Sequence, residues 1–289
     1  MAAQNKNNKY QNLKEKWGRK HDKIKANLWE KHGDSLDWLM EKTKQFTVGG
    51  ASLLLLASPK MSLPIPQLEI EAHAQKVDKK VFLISNLENI LPKEMKPLTD
   101  DEEKKVSEIL SRDFGVKAVP ELLGKRLNRS YGLIGQEQHL ARYRGDNISV
   151  HFDSSEDAVE FSSYGMAPGL GGWGYFQQKD EPLNRATERE KYYIAVPTFL
   201  APGFKENPRK IIDFFKFRKM LVVNPQNGKA VVAVVGDAGP AQWTGKHLGG
   251  SPEVMNYLER YDGSQRGPVL YFFIDDPENK IPLGPIEVL

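Results

Sequence analysis

Hydrophobic residues are unevenly spread along the chain, and their clearest pattern lies near its end. Two apolar β-branched runs, Met220–Val223 and Ala230–Val235, flank Asn224-Pro225-Gln226-Asn227-Gly228. Asn-Gly between apolar runs predicts a hairpin, because a tight turn needs residues that tolerate positive φ. The second run ends in Gly236-Asp237-Ala238-Gly239-Pro240, an acidic turn carried at a strand end. Upstream, Tyr192, Ile194 and Val196 alternate with Tyr193 and Ala195 as a strand would, and Pro268–Ile274 predicts a last strand. Ser251-Pro252-Glu253 opens a short helix through Leu258, with serine as cap and proline at the first position. The run Gly165–Phe176, rich in glycine and aromatics, predicts an entry strand with close backbone approach. Trp173 and Tyr175 then fall at alternate positions of one face, either filling the core or lining a glycan groove. About six short strands and one short helix within roughly 125 residues indicate a closed or sandwich-like β fold, not a parallel α/β sheet.

The first half has a different texture. Residues 1–45 form a basic amphipathic arm, with eleven Lys or Arg against six Asp or Glu and tryptophans at partly helical spacing. Such an arm is either a solvated helix or a contact for a membrane surface. Residues 46–58 carry no charge and follow Lys42 and Lys44. At about thirteen residues the run is short of the roughly 20 needed to span a bilayer, and it suits a signal-peptide core or an anchor. Residues 59–98 read as a linker interrupted by Val81-Phe82-Leu83-Ile84. Residues 99–163 read as a small α/β region. Thr99 caps a helix with acids at its positive end and the stripe Val106, Ile109, Leu110 and Phe114, and Gly115 stops it. Residues 164–289 form the β domain. In the polar cluster Gln136-Glu137-Gln138-His139 the Glu–His combination reads as a surface or interface pair, or else as a site distinct from the barrel.

Composition narrows the chemistry. In 289 residues there is no cysteine, which excludes disulfides, thiolate metal sites, a Cys nucleophile and thioether lipidation. The net charge of +3 gives no basis for a nucleic-acid partner. No His-x-x-His, His-Glu-x-x-His or Gly-x-Ser-x-Gly pattern occurs, so no metal centre, cofactor or nucleophile elbow is expected. What remains is Asp237 in its glycine turn, near Trp243, Thr244, Lys246 and His247. A carboxyl group withdrawn from water stays protonated to higher pH and can serve as a general acid. The same aspartate can instead cap its own turn.

Asn224, Asn227-Gly228-Lys229, the Val-rich strand, Asp237-x-Gly239-Pro240, Gly245-Lys246 and Ser251 resemble the core motif of rare lipoprotein A-like double-psi β-barrels, a fold shared with expansins and membrane-bound lytic transglycosylase A. The close match spans about 35 residues, and a looser one runs from Trp173-Gly174-Tyr175 to the last strand. The resemblance implies a six-stranded double-psi β-barrel preceded by an α-rich or irregular N-terminal region with a small α/β layer. It implies an exported, membrane-anchored or secreted bacterial envelope protein whose partner is peptidoglycan or another cell-wall polysaccharide, with membrane contact through 46–58 and the basic arm. In the family the aspartate of the D-x-G-P turn is associated with lytic cleavage of glycan strands, and it matches Asp237. The family's second aspartate falls at Gly249, and its Ala-His segment at Val196-Pro197-Thr198, without a histidine.

The expected activity is therefore a lytic transglycosylase route with Asp237 as acid/base. Trp173 and Tyr175 would stack on sugars, Trp243 and Thr244 would border the groove, and Lys246 and His247 would meet acidic substituents. The alternative is a non-catalytic, expansin-like polysaccharide-binding or protein-interaction barrel. A second carboxylate, sought among Asp180, Glu188 and Asp262, would separate the two.

Overall fold

The computed structural model describes residues 79–260 and 266–289. The basic arm, the apolar segment 46–58, the first part of the linker and Asp262 lie outside the described residues. Helix α1 spans 79–88 and helix α2 Asp100–Phe114. Three two-residue strands follow: β1 Ala118–Val119, β2 Glu121–Leu122 and β3 Lys125–Arg126. Strand β4 is Tyr131–Gln136, α3 Ser155–Phe161, α4 Leu183–Lys191, β5 Tyr193–Val196 and α5 Pro208–Phe215. The chain then runs through β6 Lys219–Val223, β7 Ala230–Ala238, β8 Leu248–Gly250, α6 Pro252–Tyr257, β9 Arg266–Ile274 and β10 Gly284–Ile286.

Six of these strands close on themselves. The ring runs β4, β8, β5, β7, β6, β9 and back to β4. The β4–β8 and β5–β7 pairs are parallel and the other four are antiparallel, so the barrel is mixed. β1 extends the sheet beside β9, and β10 beside β7. The hairpin expected around Asn224–Gly228 is β6–β7, with Val223 opposite Ala230 and Gly228 at φ 70°.

The apolar runs are continuous because their strands are buried on both faces. Met220 and Val222 point into the barrel with Val231, Ala233, Val235, Tyr271 and Phe273, where Ile211 and Phe215 of α5 and Val254 and Met255 of α6 close the core. Their neighbours Leu221 and Val223 point outward with Val232, Leu270 and Phe272, under Leu83 and Leu87 of α1 and Val106, Leu110 and Phe114 of α2. The α2 boundaries are those the sequence predicts. Thr99 and Glu102 form a reciprocal capping box, and Gly115 ends the helix at φ 65°.

Three sequence expectations change. Residues 79–98 are not a linker throughout: Leu83, Leu87 and Leu98 are buried against the outer face of the barrel. The barrel does not begin at 164, because β4, from the region read as a separate α/β layer, is one of its six strands. The glycine-rich run is a tight turn and not an entry strand. Gly174 N–H bonds back to Gly171 O at 2.9 Å with Gly174 at φ 77°, so strand alternation does not govern Trp173 and Tyr175. Among the described residues no helix is long and apolar enough to cross a membrane.

Candidate functional site

The barrel's register aligns four positions on neighbouring strands. Gly135 of β4 pairs with Gly249 of β8, Gly249 with Ala195 of β5, and Ala195 with Asp237 of β7. Three of the four have no side chain beyond Cβ, so larger groups can lie across the row. The stem of Lys246 occupies the space a Cβ on Gly135 would take, and the Glu137 carboxylate occupies the corresponding space at Gly249. Lys246 Nζ–H donates to Gln136 O at 2.7 Å and to Glu137 Oε1 at 2.8 Å. The two glycines make room for a salt bridge lying on the sheet.

Asp237 stands at the other end of the row. Its Oδ1 accepts from Gly172 N–H at 2.5 Å and from Ala238 N–H at 2.7 Å. The turn Gly171–Gly174 approaches so closely that a Cβ on Gly172 would sit 3.0 Å from that oxygen. Oδ2 has no hydrogen bond among the described residues. Burial pushes the Asp237 carboxyl up, and the two backbone donors pull it back in part. Burial also raises Glu137, Lys246 opposes the rise, and the Asp237 charge adds to it.

The other expected site residues divide into two kinds. Trp243 is 91% exposed on the 3-10 turn Gln242–Thr244. Thr244 serves the same turn, donating to Ala241 O at 2.7 Å and accepting from Lys246 N–H at 3.2 Å. Trp173 packs against the barrel core and donates from Nε1 to Val235 O at 3.0 Å, so its ring ties the glycine turn to β7. Tyr175 follows it half-buried. His247 Nδ1 accepts from Leu133 N–H at 3.0 Å, and burial followed by the Arg129 charge lowers its pKa. Of the carboxylates sought opposite Asp237, Asp180 is exposed in a turn at φ 61° and Glu188 lines a different cavity, near Arg185 and Ile281.

Sequence reasoning did not place Glu137 in this groove. The signal was a polar residue just after the apolar run of β4, but only the parallel β4–β8 pairing lays it over Gly249. His139 is also not a surface residue. It is 0% exposed, and its Nδ1 lies 3.1 Å from Glu190 Oε1. Glu190 Oε2 meets His151 Nδ1 at 3.2 Å, and His151 Nε2 meets Asp146 Oδ2 at 3.0 Å. Arg142 completes this buried chain through Asp146, at 3.1 and 3.2 Å. His139, His151 and Glu190 form the group among the described residues that could hold a metal ion, with ligand atoms within 4.8 Å of one another. Glu190 itself is satisfied without a metal, since Leu140 N–H donates to Oε1 at 3.1 Å and the imidazoles fill its remaining acceptor sites, whereas His139 Nε2 is buried with no hydrogen-bond partner among the described residues.

Compared with known proteins, the chain matches no protein-family model and no curated protein.

Proposed function

We propose that the six strands form a barrel of the double-psi type, in an exported protein that binds peptidoglycan or a related cell-wall polysaccharide and cleaves its β-1,4-linked strand. The reading rests on the motif resemblance around Asp237. One observation carries it: the Asp237 carboxyl is half-buried and raised in pKa, with Oδ1 fixed by two backbone N–H groups and Oδ2 left without a partner among the described residues. A protonated Oδ2 can give its proton to a glycosidic oxygen. In the lytic route the substrate's own hydroxyl then attacks the anomeric carbon as the glycosidic bond breaks. Its proton returns to the Asp237 carboxylate, and an anhydro sugar results. Trp243 offers an open aromatic face beside the same turn.

The supporting contrast is Glu137. A hydrolase needs a second carboxylate free to activate water. Glu137 shares the row with Asp237 but is committed to Lys246 at 2.8 Å, which favours the route that needs one acid/base. The same salt bridge supports a second reading, a barrel that binds the polysaccharide without cutting it.

Digestion of purified sacculi with the full chain and with Asp237→Asn tests both. Anhydro-muropeptides from the wild type alone, with a rate that falls as pH rises through the elevated Asp237 pKa, are expected for the lytic route. Reducing-end products instead would assign water activation to Glu137. Retained binding with no products from either protein leaves the binding module.

A further inference from the structure

The long connection between β4 and β5 is seated by a small apolar cluster, in which Leu140, Phe176 and Ala186 pack on Tyr193 and Val234 of the barrel. Beside that cluster it buries ionisable groups. The side chains of His139 and His151 are 0% exposed and that of Glu190 is 2% exposed. They come from three places: His139 follows β4, His151 closes the 3-10 turn Ile148–Val150, and Glu190 stands on α4.

Burial would raise both carboxylates of this region. Hydrogen bonds from His139 and His151 nevertheless hold Glu190 below its ordinary value, and those from Arg142 do the same for Asp146. His151 faces both carboxylates, with Nδ1 3.2 Å from Glu190 Oε2 and Nε2 3.0 Å from Asp146 Oδ2. A neutral imidazole has one N–H and one lone pair. With its proton on Nε2 for Asp146, the Nδ1 lone pair meets a carboxylate oxygen. That contact needs a positive charge between the two atoms, either a second proton or a metal ion. His139 repeats the arrangement: Nδ1 lies 3.1 Å from Glu190 Oε1, while Nε2 is buried with no hydrogen-bond partner among the described residues. A proton spent on Nδ1 leaves Nε2 a bare acceptor. A metal on Nδ1 moves the proton to Nε2 and makes it a donor. Glu253 Oε2, an acceptor, is likewise buried without a partner, and its carboxyl responds to burial, to the Glu190 charge and to His139.

The spacing suits a metal. Two donors bound to one zinc ion at roughly 2.0–2.2 Å stand about 3.3–3.6 Å apart in a tetrahedron. The two nitrogen–oxygen contacts, at 3.1 and 3.2 Å, fall slightly inside that spacing. All ligand atoms lie within 4.8 Å of one another, so closing on one ion asks each ring to move by less than about 1 Å. Two imidazoles and a carboxylate, in a chain without cysteine, suit Zn2+ and not the all-oxygen sites of Ca2+ or Mg2+. Asp146 on His151 Nε2 is the outer carboxylate that orients a ligating imidazole.

We propose that His139 Nδ1, His151 Nδ1 and the two oxygens of Glu190 hold one structural zinc ion, which ties α4 and the 3-10 turn to the end of β4. The four donors close the site, so the ion serves structure and offers no position to a substrate. The site stands on this cluster alone and not on the proposed glycan chemistry. Its effect reaches Asp237 through the backbone. His139 N–H donates to Gly165 O at 3.1 Å, and His139 O accepts from Ala167 N–H at 2.9 Å. A Cβ on Gly171 would sit 3.1 Å from Leu140 Cδ1, so the residue after His139 packs on the glycine turn. The ion thereby steadies the turn whose Gly172 N–H bonds Asp237 Oδ1.

The test uses the full chain, stripped with a chelator and reloaded with Zn2+ or Co2+, beside His139→Gln and His151→Gln. One equivalent of zinc should stay bound through gel filtration, and reloading should raise the wild-type Tm by at least about 5 °C. Both variants should lose that equivalent and the Tm gain. The cobalt form should show the intense visible absorption of four- or five-coordinate Co2+ and two hyperfine-shifted imidazole N–H protons, one from each histidine. A wild type that neither retains zinc nor gains Tm would overturn the proposal and leave the two contacts bridged by protons. The same gain in both variants would put the ion elsewhere and would also overturn it. Should the variants fail to fold, the cobalt form of the wild type decides, since fewer than two shifted imidazole protons would remove the site. Zinc removal should also speed hydrogen exchange at 165–174 more than in the β6–β7 hairpin; equal changes would sever the link to the Asp237 turn.

Discussion

Two polar clusters in this molecule use the same residue types to opposite ends. In the first, Arg142, Asp146, His151 and Glu190 are linked in turn by side-chain contacts, basic residue to carboxylate, and His139 closes the row on Glu190. Burial alone would raise the Glu190 carboxyl, yet hydrogen bonds from His139 and His151 and their charges hold it below its ordinary value. The second cluster surrounds the barrel's small-residue row. There Asp237 keeps an oxygen unbonded among the described residues, Arg129 keeps two donors unpaired, and Trp243 stands 91% exposed. A protein that can saturate a buried glutamate with three donors is able to satisfy its polar groups. The groups it leaves unsatisfied are where a ligand has something to add. Compensation is incomplete in the first cluster too, where His139 Nε2 is buried without a partner among the described residues; what sets the second apart is that Asp237 and the Trp243 ring are within reach of solvent.

The strongest way to break that distinction is to exchange stability effects between the clusters. Glu190→Ala deletes the acceptor that holds two imidazoles and the Leu140 N–H, leaving buried donors and an unbalanced charge. It should cost about 3–5 kcal/mol. Asp237→Asn keeps an oxygen for the Gly172 and Ala238 N–H groups and should change stability by less than about 1 kcal/mol. Urea midpoints of the two variants check this. Equal losses would erase the distinction between scaffold and site.

Glu253 sharpens the boundary between the clusters. It lies in the first turn of α6, 8% exposed, and its Oε2 is buried without a hydrogen-bond partner. Burial, and then the charge of Glu190, push its pKa from 4.5 up to about 7. A pKa raised by folding means that the folded state binds the proton more tightly. The resulting stabilisation is complete below pH 4.5 and is lost as pH rises through about 7. The shift corresponds to about 3 kcal/mol. Glu253→Gln should therefore remove most of this pH dependence and be more stable than wild type at pH 8 by up to that amount. Melting temperatures at pH 5 and pH 8 decide it: parallel curves for the two proteins would mean that Glu253 is solvated or paired in solution.

The same contrast explains what was legible in the sequence. Local signals carried the hairpin at Asn224–Gly228, the Thr99 capping box with its Gly115 stop, and the Ser251-Pro252 helix start, because each depends on residues within a few positions. Asp237 was visible because its turn is contiguous. The partners that define its setting are not contiguous. Glu137 reaches the groove only through β4–β8 pairing across more than a hundred residues, and Arg129 comes together with Pro240 on the lining of one cavity. His139, Glu190 and His151 lie on three separate segments, so no spacing pattern announces them. Trp173 and Tyr175 were misplaced on one face for the converse reason: their alternate positions read as a strand, while Gly174 at φ 77° folds the segment into a turn.

The smallest expected effect tests the groove's aromatic edge. Trp243 is 91% exposed on a one-turn 3-10 segment that ends in Gly245 at φ 69°, and its neighbours Ala241, Thr244 and Lys246 hold that turn by their own hydrogen bonds. Deleting the ring removes no packing, so Trp243→Ala should shift stability by no more than about 0.5 kcal/mol. A ring that stacks on a bound sugar contributes on the order of 0.5–1.5 kcal/mol, so polysaccharide binding should weaken about three- to tenfold and recover largely in Trp243→Phe. A stability loss without a binding loss would return Trp243 to the scaffold, together with Trp173. A binding loss alone would place on the same side of the comparison the one aromatic residue that the fold leaves almost wholly in water.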